Sequence, residues 1–193
     1  MAGGAELREV ARDELPALAP LVERVLGAAL DVAVGDFLAP ELSAAAAAYD
    51  PALDLFLAAQ VEGRTVGGLV MTHAGTGASA IPLVAWLVVD PCQAQRGIGR
   101  QLLSRAVAAC RERGAPAIDA RTLAASPAGP RLLWRLGFRV AELSAVSFGG
   151  RTRELLLFRL PLAPARAAAA ETSEPSRHAT PPALPDGAEP GLA

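Results

Sequence analysis

The chain has 193 residues, 52% apolar, 20% charged and 4% aromatic, with 18 basic against 20 acidic side chains and a net charge of -2. All 18 basic residues are arginine, so chemistry that needs a lysine, such as a Walker-type phosphate loop or a Schiff base, is excluded. The near-neutral balance offers no chain-wide field for nucleic acid, and the length fits one ordinary domain with residues to spare.

In chain order, Glu6 to Val10 reads as a short first strand. Asp13 is placed to N-cap a helix over Glu14 to about Ala29, where Leu15, Leu18, Leu21, Val22, Val25 and Leu26 recur at helical spacing. A second helix is expected after Pro40, through Tyr49. Leu53–Val61 and Thr65–Thr72 are β-rich runs joined at Glu62-Gly63-Arg64, and a Gly75-Thr76-Gly77 turn leads into a third run, Ala80–Val89. Gly97–Arg113 is an amphipathic helix with Leu102, Leu103, Ala106, Val107 and Cys110 on one face and Gly114 at its C-cap. Ala117–Leu123 reads as a strand and Ser126–Leu136 as a helix opened by Pro127; Val140–Ser147 and Arg153–Leu160 form a final hairpin around Gly149-Gly150. An antiparallel meander followed by a crossover through a helix gives an α+β class with a mixed, mainly antiparallel sheet.

Composition changes near residue 163. Ala163 to Ala193 holds ten Ala and six Pro, with Leu184 and Leu192 its only large apolar side chains. Such a segment cannot bury enough surface to offset its ordering entropy. Residues 1–162 are therefore expected to fold as one domain and 163–193 to form a disordered tail, with a short helix near Ala165 to Glu171 as the exception. Cys92 and Cys110 are far apart and form no C-x-x-C pair, which supports neither a disulfide framework nor a zinc site. Met1 to Val10 lacks the apolar core of a secretory leader, and Ile81–Val89 is well short of the ~20 residues that span a bilayer. A reducing, cytoplasmic location and no membrane association are expected.

Chemistry concentrates between Leu87 and Leu103. A buried strand, Leu87-Val88-Val89, runs through Asp90-Pro91-Cys92-Gln93-Ala94-Gln95-Arg96 into Gly97-Ile98-Gly99-Arg100 at the start of an amphipathic helix. Unpaired N–H groups from about Gln95 to Arg100, with the positive end of the helix dipole, would cradle phosphate oxygens. Arg96, Arg100, Arg105, Arg111 and Arg113 against one Glu112 make this segment locally basic. Read blandly, Gly97 and Gly99 make a tight turn and the arginines a solvated face. A Rossmann fingerprint is not supported: the third glycine's place holds Leu102, and a meander precedes the motif.

The order of elements and two motifs resemble the GNAT superfamily of acyl-CoA-dependent N-acyltransferases over roughly residues 5 to 160. Its Q/R-x-x-G-x-G/A signature is matched by Ala94-Gln95-Arg96-Gly97-Ile98-Gly99, with Ala94 departing from the pattern; its second, a polar residue opening a helix that ends in L-G-F, by Ser126 and Leu136-Gly137-Phe138. The resemblance implies about seven strands flanked by about four helices, acetyl-CoA as co-substrate, and an amine on a small molecule or peptide as acceptor. It implies a V-shaped opening between Ala80–Val89 and Ala117–Leu123 for the pantetheine arm, with backbone amides near Val88 and Val89 polarising the thioester. The cofactor would be held by Leu87, Val88, Val89, Gln95, Arg96, Gly97, Ile98, Gly99, Arg100 and Ser126.

Two family features are missing. The usual acidic Tyr is replaced by Leu133, the only tyrosine being Tyr49, and the Leu83–Leu87 stretch has no glutamate. The catalytic candidates are Ser126, as donor to the leaving thiolate or simply as an N-cap, and His73, as base or as a surface residue. Asp90 reads as a loop cap, Cys92 and Cys110 as inert, and Trp86 and Trp134 as core; Tyr49, Glu41 and Asp54 fall in the acceptor region by analogy. A catalytically silent acyl-CoA-binding regulatory domain is the alternative. The apolar Leu155-Leu156-Leu157-Phe158 would serve the core or a homodimer interface.

Overall fold

The computed structural model describes residues 4–30, 35–74, 80–126, 128–148 and 151–162. The expected Gly75-Thr76-Gly77 and Gly149-Gly150 turns, Pro127 and the tail from residue 163 lie outside them. The strands are β1 (Glu6–Glu9), β2 (Leu55–Val61), β3 (Arg64–Ala74), β4 (Ile81–Val89), β5 (Ala117–Leu123), β6 (Arg139–Phe148) and β7 (Arg151–Pro161). The helices are α1 (Ala19–Leu30), α2 (Gly35–Ala47), α3 (Ile98–Glu112) and α4 (Ala128–Arg135).

All seven strands join one sheet in the order β1-β2-β3-β4-β5-β7-β6, in which only β4 and β5 run parallel. The α+β expectation holds. The last strand does not take the edge, as chain order alone would suggest; β7 inserts between β5 and β6. Phe158 on β7 is fully buried, whereas β6 carries Val140 at 46% and Leu143 at 59% exposure. The more apolar strand therefore takes the interior position.

Two apolar cores sandwich the sheet. On one face α3 and α4 bury Leu57, Leu69, Met71, Val84, Leu102, Leu103, Ile118, Phe138 and Phe158; on the other, α1 and α2 bury Leu15, Leu21, Val22, Leu38, Leu42, Phe56 and Val70. Strand alternation assigns the faces: Phe56 and Leu57, or Val70 and Leu69, go to opposite cores.

Several boundaries differ from expectation. The first helix does not run from Glu14. Residues 15–18 form a 3-10 turn, and α1 starts at Ala19-Pro20. In a continuous helix Pro20 could neither donate to the Pro16 carbonyl nor avoid it, so the chain restarts there. Asp13 makes no cap, and the side chain of Glu14 instead accepts from Ala11 N at 3.1 Å and from Arg8 at 3.0 Å. Helix α2 begins five residues before Pro40 and keeps that proline inside. Trp134, expected in the core, is 53% exposed and meets buried Phe158 only edge-on, at 5.9 Å.

Helix ends follow the sequence closely. At the end of α3, Ala115 N donates to the Cys110 carbonyl and Gly114 N to that of Arg111. The same pair of bonds recurs after α4, where Phe138 N reaches Leu133 and Gly137 N reaches Trp134. This is the Schellman arrangement, with Gly137 left-handed at φ 91° and Phe138 turned into the core. The L-G-F motif is thus a helix stop with an apolar anchor.

Candidate active site

Strands β4 and β5 pair through only two residue pairs, Leu83 with Asp119 and Val84 with Ala120, and then diverge. The split begins at a β-bulge: β3 pairs Val70 with Trp86 and Met71 with Val84, leaving Ala85 unmatched. An unpaired residue in one strand bends it and sharpens its twist, which carries β4 away from its neighbour. The result is a cleft of about 1370 Å³, walled by Ala85–Val89 on one side and Arg121–Leu123 on the other.

The open edge of β4 presents backbone groups. Asp90 N donates to the Val66 carbonyl at 2.8 Å, and in an antiparallel ladder this makes Val66/Asp90, Gly68/Val88 and Val70/Trp86 the hydrogen-bonded pairs. The amides of Leu87 and Val89 therefore face the cleft. That of Val88, expected to polarise a thioester, faces β3 instead.

At the far end of this edge the chain turns into α3. Asp90 caps the turn, accepting from Cys92 N at 2.9 Å and from Arg24 at 3.1 Å, and the Cys92 amide holds its carboxyl below the usual carboxylate range. Gln95 (φ 62°) and Gly97 (φ 81°) are both left-handed, a conformation that Gly97 adopts without a Cβ penalty. The first intrahelical bond is Gln101 N to Gly97 O, so the amides of Ile98, Gly99 and Arg100 have no helical acceptor. A Cβ on Gly99 would lie 3.3 Å from Leu132 and 3.6 Å from Val89, so the helix start is pressed against both β4 and α4. Gln95, Gly97, Ile98, Gly99 and Arg100 line the cleft; Arg96 lines a smaller hollow beside it with Gln93 and Gln101.

The basic stretch divides in two. Arg105 is committed to Glu9 and Glu112, and Arg113 donates to the Asp54 carbonyl. Arg100 keeps its charge free at the helix start. It is joined around the cleft by Arg121, Arg131 and Arg135, none with a hydrogen-bond or ion-pair partner among the described residues. Glu41 of α2 is the one acid lining the cleft among the described residues.

The sequence-nominated catalytic residues separate. Ser126 lines the cleft just ahead of α4, its amide bonded to the Leu123 carbonyl. His73 does not line it. His73 sits opposite Pro82, beyond the closed end of the split, with Nδ1 2.8 Å from Oδ1 of Asp54. Asp54, expected at the acceptor side, is 1% exposed; its second oxygen accepts from Asp50 N at 2.8 Å. This pair stitches β3 to the loop before β2. Leu133, in place of the family's tyrosine, is buried among Phe138 and Phe158 and leaves no hydroxyl at that point. Burial also pushes the Cys110 thiol up to about 11, consistent with an inert packing residue beside Met71. Sequence reasoning missed Arg121, Arg131 and Arg135, whose convergence depends on how β5 and α4 meet in space.

Among the described residues no group of His, Cys, Asp and Glu could hold a metal ion, and no helix is long and apolar enough to cross a membrane.

Comparisons with known proteins agree with this geometry. The family model for the acetyltransferase (GNAT) domain matches residues 52–140, from just before β2 to the start of β6. No curated protein matches the sequence. Among solved structures, the ribosomal-protein-S18-alanine N-acetyltransferase from Escherichia coli superposes with a TM-score of 0.66 at 16% identity, covering 86% of this chain and 99% of that one. The yncA protein of Salmonella typhimurium, determined with its cofactor acetyl-CoA, gives 0.63 at 20% identity over 89% and 100%. The ribosomal-protein-alanine N-acetyltransferase from Brucella melitensis gives 0.63 at 21% over 81% and 99%. Identities this low speak for the fold, and the family match spans the elements that build the cleft, β4, α3 and β5. Residues 52–140 thus match the acetyltransferase (GNAT) domain, and the chain shares the fold of these acetyltransferases.

Proposed function

We propose that the protein transfers the acetyl group of acetyl-CoA to a primary amine by direct attack within a ternary complex. The observation that carries this reading is the split between β4 and β5, which runs directly into the unpaired amides at the start of α3. A diphosphate on Gly97–Arg100 is stabilised by the helix dipole and by Arg100. The pantetheine arm then lies along the open edge of β4 as an added strand, its amides meeting Leu87 and Val89. Arg131 and Arg135 offer charge for the phosphate on the ribose.

Chemistry takes place near Ala85, where the split closes. The amine nitrogen attacks the thioester carbon, the C–N bond forms, the C–S bond breaks, and sulfur leaves with the electron pair. A backbone amide of β4 stabilises the oxyanion, and holding both reactants in one cleft supplies much of the rate. Glu41 or a water it holds removes the amine proton, and Ser126 is placed to protonate the sulfur. A thiol's ordinary pKa near 8.5 makes this acid helpful without being indispensable. A chain lacking the tyrosine can thus remain active.

Leu133 and the absence of an acid on β4 favour a second reading, a silent acyl-CoA-binding regulatory domain located, like the enzyme, in the cytoplasm. Two measurements separate them. Calorimetric titration with acetyl-CoA is expected to give micromolar binding under both, whereas thiol release on addition of an amine is expected only from the enzyme. Absence of acetyl-CoA binding would refute both.

A further inference from the structure

One side chain at the closing point of the split is not needed for the cofactor. Ala120, the last β5 residue paired with β4, is buried against the α3 core, so Arg121 turns to the opposite face, toward α1 and α2. Its partner across β7 is Leu157, which is no acid. The nearest acid on that face, Asp119, is already gripped by Arg159 through both oxygens at 2.7 Å. Arg121 lines the cleft without a partner among the described residues.

The surface around Arg121 is apolar. Leu123, Val146 and Leu155 line the cleft from β5, β6 and β7, and Val25, Leu26 and Leu38 from α1 and α2. Among the described residues the one anion lining the cleft, Glu41, lies on the α2 wall. The phosphate-binding amides are at the other end of the open edge, about 13 Å along β4 from Ala85 to Val89 at the strand rise of ~3.3 Å per residue. Arg121 is thus placed beside the acyl group and away from the phosphates.

An apolar slot with one cation beside the reacting carbon and one anion on the facing wall matches a zwitterion. Resting on the acetyl-transfer reading, we infer that the acceptor is a free α-amino acid with an apolar or aromatic side chain. Its carboxylate forms a two-point bond with Arg121, its side chain packs among Leu38, Val146 and Leu155, and its ammonium is turned toward Glu41. Arg121 is the first residue past the split, so a carboxylate bound there leaves room for only a short link to an amine that must reach the thioester. An α-amine satisfies this; the amine of a long ω-amino acid overshoots. The ammonium gives one proton to Glu41 or solvent, the amine attacks, and the products are the N-acetyl amino acid and CoA thiol.

The test uses the full chain. Acetyl-CoA affinity is measured first by calorimetry, then thiol release with leucine and phenylalanine against leucinamide and phenylalaninamide, for the native protein and Arg121→Gln. The expected result is kcat/KM about 30-fold higher for the acids than for the amides, the range of a charge-assisted bond made only by the carboxylate. Arg121→Gln should erase that ratio by slowing the acids alone, with acetyl-CoA affinity unchanged. Amides turned over as well as acids, a ratio that survives Arg121→Gln, turnover of neither, or a variant that loses acetyl-CoA instead would each overturn the assignment. If the native protein binds no acetyl-CoA, it is the acetyl-transfer reading that fails first.

Discussion

The two walls of the cleft are built from different materials. The β4–α3 wall presents main-chain amides to the cleft, those of Leu87, Val89 and the start of α3. The opposite wall, from α1, α2, β5, β6 and β7, presents side chains such as Leu38, Glu41, Arg121 and Leu155. A backbone site depends on conformation and tolerates substitution at most of its positions; a side-chain site changes with every substitution. A fold can therefore keep its cofactor while its acceptor drifts.

The sharpest way to break this comparison is at the glycines. Gly99→Glu puts a side chain into the space shared with Leu132 and Val89 and a negative charge at the helix start. Acetyl-CoA affinity is expected to fall by about 100-fold or more, read by calorimetry, because sterics and the helix dipole now both oppose the phosphates. Arg121→Gln is the counterpart on the other wall and should spare acetyl-CoA.

A change outside both walls should alter stability without touching either ligand. Asp54→Ala leaves Nδ1 of His73 and the Asp50 amide without their buried acceptor. A loss of about 2 kcal/mol in denaturant unfolding is expected, with acetyl-CoA affinity of the folded protein unchanged. A His73 that acted as general base would instead cost activity in the folded state. Ser126→Ala should lower kcat by about tenfold, a modest share of what a general acid can supply, and leave acetyl-CoA affinity alone. The smallest effect is a thiol count. At pH 8 only exposed Cys92 should be alkylated, since Cys110 is buried with its pKa raised to about 11 and stays protonated. Modification of both without unfolding would show that the α3 core opens.

The contrast between the walls also explains what could be read from the sequence. Gly97, Gly114 and Gly137 are local signals: each marks a helix end whose geometry a few neighbouring residues decide, and the structure places all three there. The basic run after Pro91 was legible as charge but not as chemistry, because its arginines divide between Glu9, Glu112, Asp54 and the open cleft according to contacts from distant segments. His73 and Asp54, 19 residues apart, form a pair only once β2 and β3 align. Trp134 was misread because an aromatic at helical spacing says nothing about where the sheet beneath it ends. The position of β7 could not be told from hairpin spacing, since either strand can follow the turn into the sheet.

That position ties completion of the sheet to the end of the domain. Strand β5 holds β4 through two residue pairs but β7 through seven. Until Arg151–Pro161 is available, one edge of β5 has no partner and β6 has no neighbour to join. Folding must then wait for contacts between residues about 40 apart, such as Asp119 with Arg159, which places the slow step in a non-local strand insertion. A ribosome-bound chain lacking its last strand would carry a preformed β1–β4 meander beside an exposed, unpaired β5 edge, the state in which this molecule is most open to aggregation.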